Sequence, residues 1–152
     1  MRKMALGLFR RLPRRVRRFI IHAVTPSYTV GAVAVLRRSD GRIALVEQRH
    51  SPGWALPGGL LSRRESASAA LVREIVEELG ILFDPAALPV PHASVNPDAR
   101  RVDVVYFLDA PEGVGLRTED EIEVTGVGWF QLAALPPITE PTAEILRAVR
   151  LL

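Results

Sequence analysis

GLLSRRESASAALVREIVEELGI, running from Gly59 to Ile81, is the stretch whose reading decides the fold. Its second half has helical spacing. Glu74, Glu77 and Glu78 stand at i, i+3 and i+4, so on a helix they share one face. Val72, Ile75, Val76 and Leu79 form an apolar stripe whose mean direction is about half a turn away, at roughly 100° per residue. Three carboxylates packed so closely repel one another and weaken an isolated helix. A divalent cation removes that conflict, because hard cations such as Mg²⁺ take carboxylate oxygens as ligands. Taken alone, such a pattern is usually a solvated acidic face, and its neighbours must decide.

Those neighbours are specific. The stretch resembles the Nudix box, G-x5-E-x7-R-E-U-x-E-E-x-G-U with U aliphatic. Gly59, Glu65, Arg73, Glu74, Ile75, Glu77, Glu78, Gly80 and Ile81 meet every fixed position. The flanks carry the resemblance further. Trp54-Ala55-Leu56-Pro57-Gly58-Gly59 is similar to the family's W-x-L-P-G-G entry, and Val127-Gly128-Trp129-Phe130 with Leu135-Pro136 is similar to its closing segment. The fold this implies is α+β: an α/β/α sandwich around a mixed sheet.

The rest of the chain reads in the same order. Tyr28–Leu36 is a buried strand, Ser39-Asp40-Gly41-Arg42 an Asp-Gly hairpin turn, and Ile43–Gln48 the returning strand. A Pro/Gly-punctuated loop from Arg49 leads to the box. Two helix starts are open: a capping box at Ser62–Glu65, or Ser66 capping a helix from Ala67. The resemblance favours Ser66, because it implies that Glu65 lies in the loop and pairs with Arg73. Gly80 ends the helix. Strands are expected at Val90–Val95, Arg101–Leu108 and Glu121–Phe130, the last bulged or bent near Gly126 and Gly128. A final helix starts near Thr139, with Pro141 in its first turn.

Composition bounds the answer. The chain has 152 residues, 48 % hydrophobic and 24 % charged, as expected of one globular domain. No apolar run approaches the roughly 18 residues a membrane helix needs. The lack of cysteine excludes disulfides and thiolate metal sites and agrees with a cytoplasmic location. The formal charge of +3 hides an asymmetry. Residues 1–24 hold eight of the twenty basic residues and no acid, so twelve face all seventeen acids in the remainder, a balance of −5. The chain therefore divides into a basic segment, 1–24, and a domain, 25–152.

In the basic segment Leu8, Leu12, Val16, Phe19, Ile20 and Ala23 recur at helical spacing opposite the arginines, and Pro13 suits the start of a second helix. Three readings compete. In the favoured one the apolar stripe packs on the domain. In the second a basic amphipathic helix meets an anionic membrane or a nucleic-acid backbone. In the third the segment is a cleaved targeting peptide, although Arg10 and Arg11 interrupt a secretory pattern and serine is scarce.

The resemblance also implies chemistry. It assigns Glu78 first, with Glu74 and Glu77, as ligands of Mg²⁺ (Mn²⁺ as substitute), with the Gly58 carbonyl as a further ligand. Glu74 and Glu77 share a base role, and Glu65 with Arg73 orients the helix. Gly58 and Gly59 let metal or phosphate approach the backbone. Family members take their general base from the box or from a distal loop. In this chain Glu119, Asp120, Glu121 and Glu123 lie where a distal one would come from, and Glu121 is the choice. A solvated loop is the alternative. Arg49 either reaches substrate phosphate or sits on the surface. Trp54 either stacks on a base or fills the core, with the core favoured. Pro97 falls sixteen residues past Ile81, as in ADP-ribose-cleaving members, but a plain turn explains it better.

The activity implied is Mg²⁺-dependent cleavage of the pyrophosphate in a nucleoside diphosphate linked to another moiety, nucleotide sugars and ADP-ribose included. The alternatives are release of pyrophosphate from nucleoside triphosphates, oxidised ones included, and a non-catalytic nucleotide-sensing module. Homodimers occur in the family.

Overall fold

A computed structural model describes residues 12–152. Any helix within residues 1–11 lies outside the described residues. Helix α1 (Arg14–Val24) starts at Pro13 and ends at Thr25, whose N–H donates to the Ile21 carbonyl at 2.9 Å. Most of its apolar stripe is not covered as favoured from sequence: Phe19 and Val24 are 74 % and 75 % exposed, while Ile20 is part-buried.

Strand β1 (Thr29–Arg37) is the axis of the sheet. Its residues alternate between two faces, and both faces are buried, which is why the sequence there is apolar without a break. β2 (Ile43–Gln48) follows through the Asp-Gly turn, in which Gly41 adopts φ +82°. The glycine-rich loop contains two short strands that sequence reading did not separate, β3 (Trp54–Ala55) and β4 (Gly58–Leu60). Next come helix α2 (Ala67–Leu79), β5 (His92–Asn96), β6 (Arg101–Asp109), β7 (Val124–Phe130), a 3₁₀ turn (Leu132–Ala134) and helix α3 (Glu140–Ala148).

The sheet runs β3-β2-β1-β6-β5, with β4 also on β1 and β7 also on β2. β1 and β6 are parallel, from Thr29 opposite Arg101 to Arg37 opposite Asp109. The other pairs are antiparallel, so the sheet is mixed. β1 and β2 diverge after Arg37 and Ile43, and β4 enters beside β1, setting Gly59 opposite Ala32 and Gly58 opposite Val33. The divergence is what gives the glycine turn a place inside the sheet.

Alternation sorts the core into two layers. Ala32, Ala34, Leu36, Ala44 and Val46 pack against Leu71, Ile75 and Leu79 of α2. Val33, Val35, Ile43 and Leu45 pack against Ile145 and Leu146 of α3. The result is the expected α/β/α sandwich. Residues 121–123 form a turn, so β7 begins three residues later than expected. The expected bulge is present: Gln48 faces Val124 and Glu47 faces Gly126, leaving Thr125 as the extra residue.

Candidate active site

Both ends of α2 are fixed by local chemistry. The Ser66 hydroxyl accepts from the Ala69 N–H at 3.2 Å, and Gly80 takes φ 68° while donating to Val76 O. The other start signal is used too, one turn earlier: the Ser62 N–H donates to Glu65 Oε2 at 2.7 Å, closing a tight loop before the helix. Glu65 is therefore a loop residue facing the helix.

Arg73 is the centre of that face. Its guanidinium donates to both Glu65 oxygens at 3.1 and 3.2 Å, to Glu74 Oε1 at 2.7 Å, to Glu77 Oε2 at 3.3 Å and to the Leu60 carbonyl at 3.4 Å. One planar cation thus makes five hydrogen bonds from three nitrogens, more than the three donors of a lysine could supply. Hydrogen bonding from Arg73 holds the Glu65 carboxyl below the usual carboxylate range, and Glu65 in turn raises the Arg73 guanidinium.

Glu78 is different. Its side chain turns inward and the residue is 5 % exposed. Oε2 accepts from the Gly58 N–H at 2.8 Å, and Oε1 from Gln48 Nε2 at 3.0 Å. Burial pushes this carboxyl up to about 8, and the neighbouring charges of Glu74 and Glu77 push the same way, against the two hydrogen bonds. Glu74 is also raised, again mainly by burial. Gln48 escaped sequence reading, although a polar residue ending a buried strand beside the glycine turn was a signal.

Behind α2 the chain from Arg117 to Asp120 is hooked onto the helix end. The N–H groups of Glu119 and Asp120 donate to Glu77 O at 2.8 and 3.1 Å, and that of Arg117 donates to Leu79 O at 3.1 Å. These carbonyls belong to the last turn and have no partner within the helix. Asp120 Oδ1 then accepts from the N–H groups of Ile122 and Glu123, both at 3.0 Å, turning the chain back toward the sheet.

A cleft of about 350 Å³ lies between these parts. Gly58, Gly59, Arg73, Glu74, Glu77 and Glu78 line it, with Gln48, Ser62, Asp120 and Glu123. Of the distal acids, Asp120 and Glu123 face the cleft. Glu121, the residue chosen from sequence, is exposed, as Glu123 is, but is not among the lining residues. The reason is the 120–123 turn: a strand would have alternated Glu121 and Glu123 to one side, whereas the turn separates them.

Arg49 and Trp54 also lie outside the cleft lining. Arg49 Nε donates to Ile122 O at 2.9 Å and its N–H to Glu123 O at 2.8 Å, so Arg49 fastens the distal turn. Trp54 meets Phe130 edge-on at 4.6 Å and packs on the α3-side core. Pro97 begins the turn between β5 and β6, with Arg100 N–H donating to Pro97 O at 3.3 Å.

The donors suit a hard divalent cation. One buried carboxylate, Glu78, and one half-buried, Glu74, both with their charge disfavoured, line the cleft with a third, Glu77. No group of three metal-binding side chains stands preassembled among the described residues. As the side chains lie, Arg73 supplies the positive charge that Glu74 and Glu77 need.

Comparison with known proteins agrees with this geometry. A family profile, the NUDIX domain, matches residues 27–149. A provisionally named 8-oxo-dGTP diphosphatase of Bacillus subtilis (strain 168) is 31 % identical over 117 residues, 77 % of this chain and 76 % of that one. An ADP-ribose pyrophosphatase of Methanocaldococcus jannaschii is 30 % identical over 127 residues, covering 79 % of this chain and 73 % of its own. The crystal structure of a MutT NUDIX hydrolase from Burkholderia pseudomallei superposes with a TM-score of 0.66 at 34 % identity, over 82 % of this chain and 99 % of that one. The chain therefore belongs to the NUDIX family, as a hydrolase of phosphoric anhydride bonds.

Proposed function

We propose that the protein is a Mg²⁺-dependent pyrophosphohydrolase that splits a nucleoside diphosphate linked to another moiety, ADP-ribose or a nucleotide sugar being the class. The observation that carries this is the cleft itself, where the box carboxylates, the Gly58–Gly59 turn and two distal acids share one cavity. Glu78, Glu74 and Glu77, with the Gly58 carbonyl, would hold the cation. Bound there, it neutralises phosphate charge and acidifies water. Arg73 keeps the Glu74 and Glu77 carboxylates on the cleft side of α2. Gly59, without a side chain, leaves room for the Glu74 carboxylate against β4. Glu123, with Asp120 beside it, accepts the proton of the attacking water. A new P–O bond forms, the bridging P–O bond breaks, and two phosphate monoesters leave.

The second reading, pyrophosphate release from an oxidised nucleoside triphosphate, is favoured by the likeness to the Bacillus subtilis relative. One experiment separates them. The protein with Mg²⁺ is given ADP-ribose, nucleotide sugars, dinucleotides, capped RNA and normal and oxidised dNTPs, and the products are resolved. Two monophosphates from a diphosphate-linked substrate support the first reading, and inorganic pyrophosphate from a triphosphate the second. Absence of turnover throughout, or undiminished turnover by Glu78→Gln, defeats both.

A further inference from the structure

We propose that helix α1 is a membrane-surface anchor, laying its apolar face into the headgroup layer of an anionic bilayer. At about 100° per residue, Val16, Phe19, Ile20, Ala23 and Val24 fall within one arc of Arg14–Val24. Arg14, Arg15, Arg17 and Arg18 occupy the opposite arc, where Ile21 is the one apolar exception. An amphipathic helix normally buries such a stripe against its own domain. This one leaves most of it in solvent: Val16, Phe19 and Val24 are 41 %, 74 % and 75 % exposed, and Ile20 alone of its large side chains is part-buried.

The occupant follows from both faces together. A nucleic-acid backbone would take the arginines and leave the apolar arc in water. A second copy of the helix would cover the apolar arc and leave both sets of arginines facing water with no acidic partner. A lipid surface with anionic headgroups satisfies both at once, the apolar arc among acyl chains and the arginines at phosphate level. Eleven residues span about 16 Å as a helix, too short to cross a bilayer, so α1 lies in the surface plane. Charge orients the approach. Residues 1–24 carry eight positive side chains and no acid, while the remainder has a balance of −5, so an anionic surface attracts the segment and repels the domain. The catalytic cleft contains no residue of α1 and stays open to soluble substrate.

Flotation of the full chain with lipid vesicles tests this. The chain is expected to float with mixed phosphatidylcholine–phosphatidylglycerol vesicles and not with phosphatidylcholine alone, and added salt should weaken binding. Two variants divide the faces: Phe19→Gln with Val24→Gln, and Arg14→Gln with Arg18→Gln. All four positions are exposed, so folding is not at risk. Each variant should lower the vesicle partition coefficient about tenfold or more, with hydrolysis in solution unchanged. Three results overturn the proposal: no flotation of the unaltered chain, equal flotation of the Phe19/Val24 variant, or a dimer in solution that this variant dissociates. Binding of a single-stranded RNA with equal strength by the unaltered chain and the Phe19/Val24 variant, without flotation, assigns the helix to nucleic acid instead.

Discussion

The Glu74 carboxylate lies in the space that a Cβ on Gly59 would fill. The two residues are fifteen positions apart, one on β4 and one on α2, and the missing side chain lets helix and strand share the cleft wall. Gly58, next to it, is constrained differently. A Cβ there would strike the backbone of Ala32, and its φ of 139° is one that other residues avoid. Substitutions should therefore separate. In Gly59→Ala the atom displaced is the end of a flexible side chain, so stability changes little while Glu74 is pushed off Arg73, and kcat should fall tenfold or more, roughly the loss of one positioned group. In Gly58→Ala the backbone itself must move, at a cost on the order of 3 kcal/mol. Melting temperature and kcat measured on both variants check this; equal thermal losses would show that the glycines serve the fold alike.

Glu78 makes stability depend on pH in an unusual direction. Its carboxyl rises from an ordinary 4.5 to about 8 on folding, so between those values the unfolded chain has lost a proton that the folded one keeps. Stability of the metal-free protein should fall as pH rises through this window, by at most about 1.4 kcal/mol per unit. Glu74, raised by burial as well, adds in the same sense. Thermal melts in a chelating buffer from pH 5 to 9 should show the decline, about that range being where such a group titrates. Mg²⁺ should reverse it at the alkaline end. Glu78→Gln should flatten the profile, because Gln48 can turn its amide to meet either a carboxamide or a protonated carboxyl. A metal-free protein as stable at alkaline as at acid pH would refute this account of Glu78.

The distal turn makes a sharper claim about catalysis. Glu123→Gln should lower kcat by about 10²- to 10⁴-fold, the range of a lost general base, with KM little changed. Glu121→Gln should leave kcat alone, since Glu121, unlike the equally exposed Glu123, does not line the cleft. Asp120→Asn keeps the oxygen that accepts from Ile122 and Glu123 and removes only charge, whereas Asp120→Ala also opens the turn. Kinetics of these four variants over pH identify the base. A large loss from Glu121→Gln with none from Glu123→Gln would instead support Glu121, the choice made from sequence.

How much of this was legible beforehand depended on whether the signal was local. The box helix, its Ser66 start and its Gly80 end follow from residues within a turn of each other, and β1 and β2 follow from apolar runs meeting at Asp40-Gly41. The Glu65–Arg73 pair came only with the family resemblance. Two features were hidden for a physical reason. The distal acids depend on whether residues 121–123 continue a strand or form a turn, and Asp120 Oδ1 decides that by accepting two backbone N–H groups. Arg49 read equally as a phosphate contact or as a surface residue, because a lone arginine at a strand end has no local partner. Its partners, the carbonyls of Ile122 and Glu123, lie more than seventy residues on. Pairing across such distances is fixed by the register of β2 on β7, which apolar patterning does not specify.

Arg73 offers the most direct test of whether this face works as a unit. The guanidinium reaches Glu65 through two nitrogens and Glu74 and Glu77 through a third, and its side chain is 35 % exposed, so solvent screens part of each ion pair. Arg73→Lys keeps the charge and loses the fork. It should cost on the order of 1–2 kcal/mol in stability and raise the Mg²⁺ concentration needed for half-maximal activity, because Glu74 and Glu77 are no longer held at the cleft. Glu65→Gln removes the fork's anchor from the loop side and should shift the metal requirement in the same direction. If Glu65 acts only through Arg73, the double variant is little worse than Arg73→Lys alone, with a coupling energy of about 1 kcal/mol. Denaturant unfolding and Mg²⁺ titrations of the four proteins in the cycle measure both quantities. Additivity within about 0.3 kcal/mol would mean that Glu65 and Arg73 contribute separately and that the loop does not position the helix through this pair.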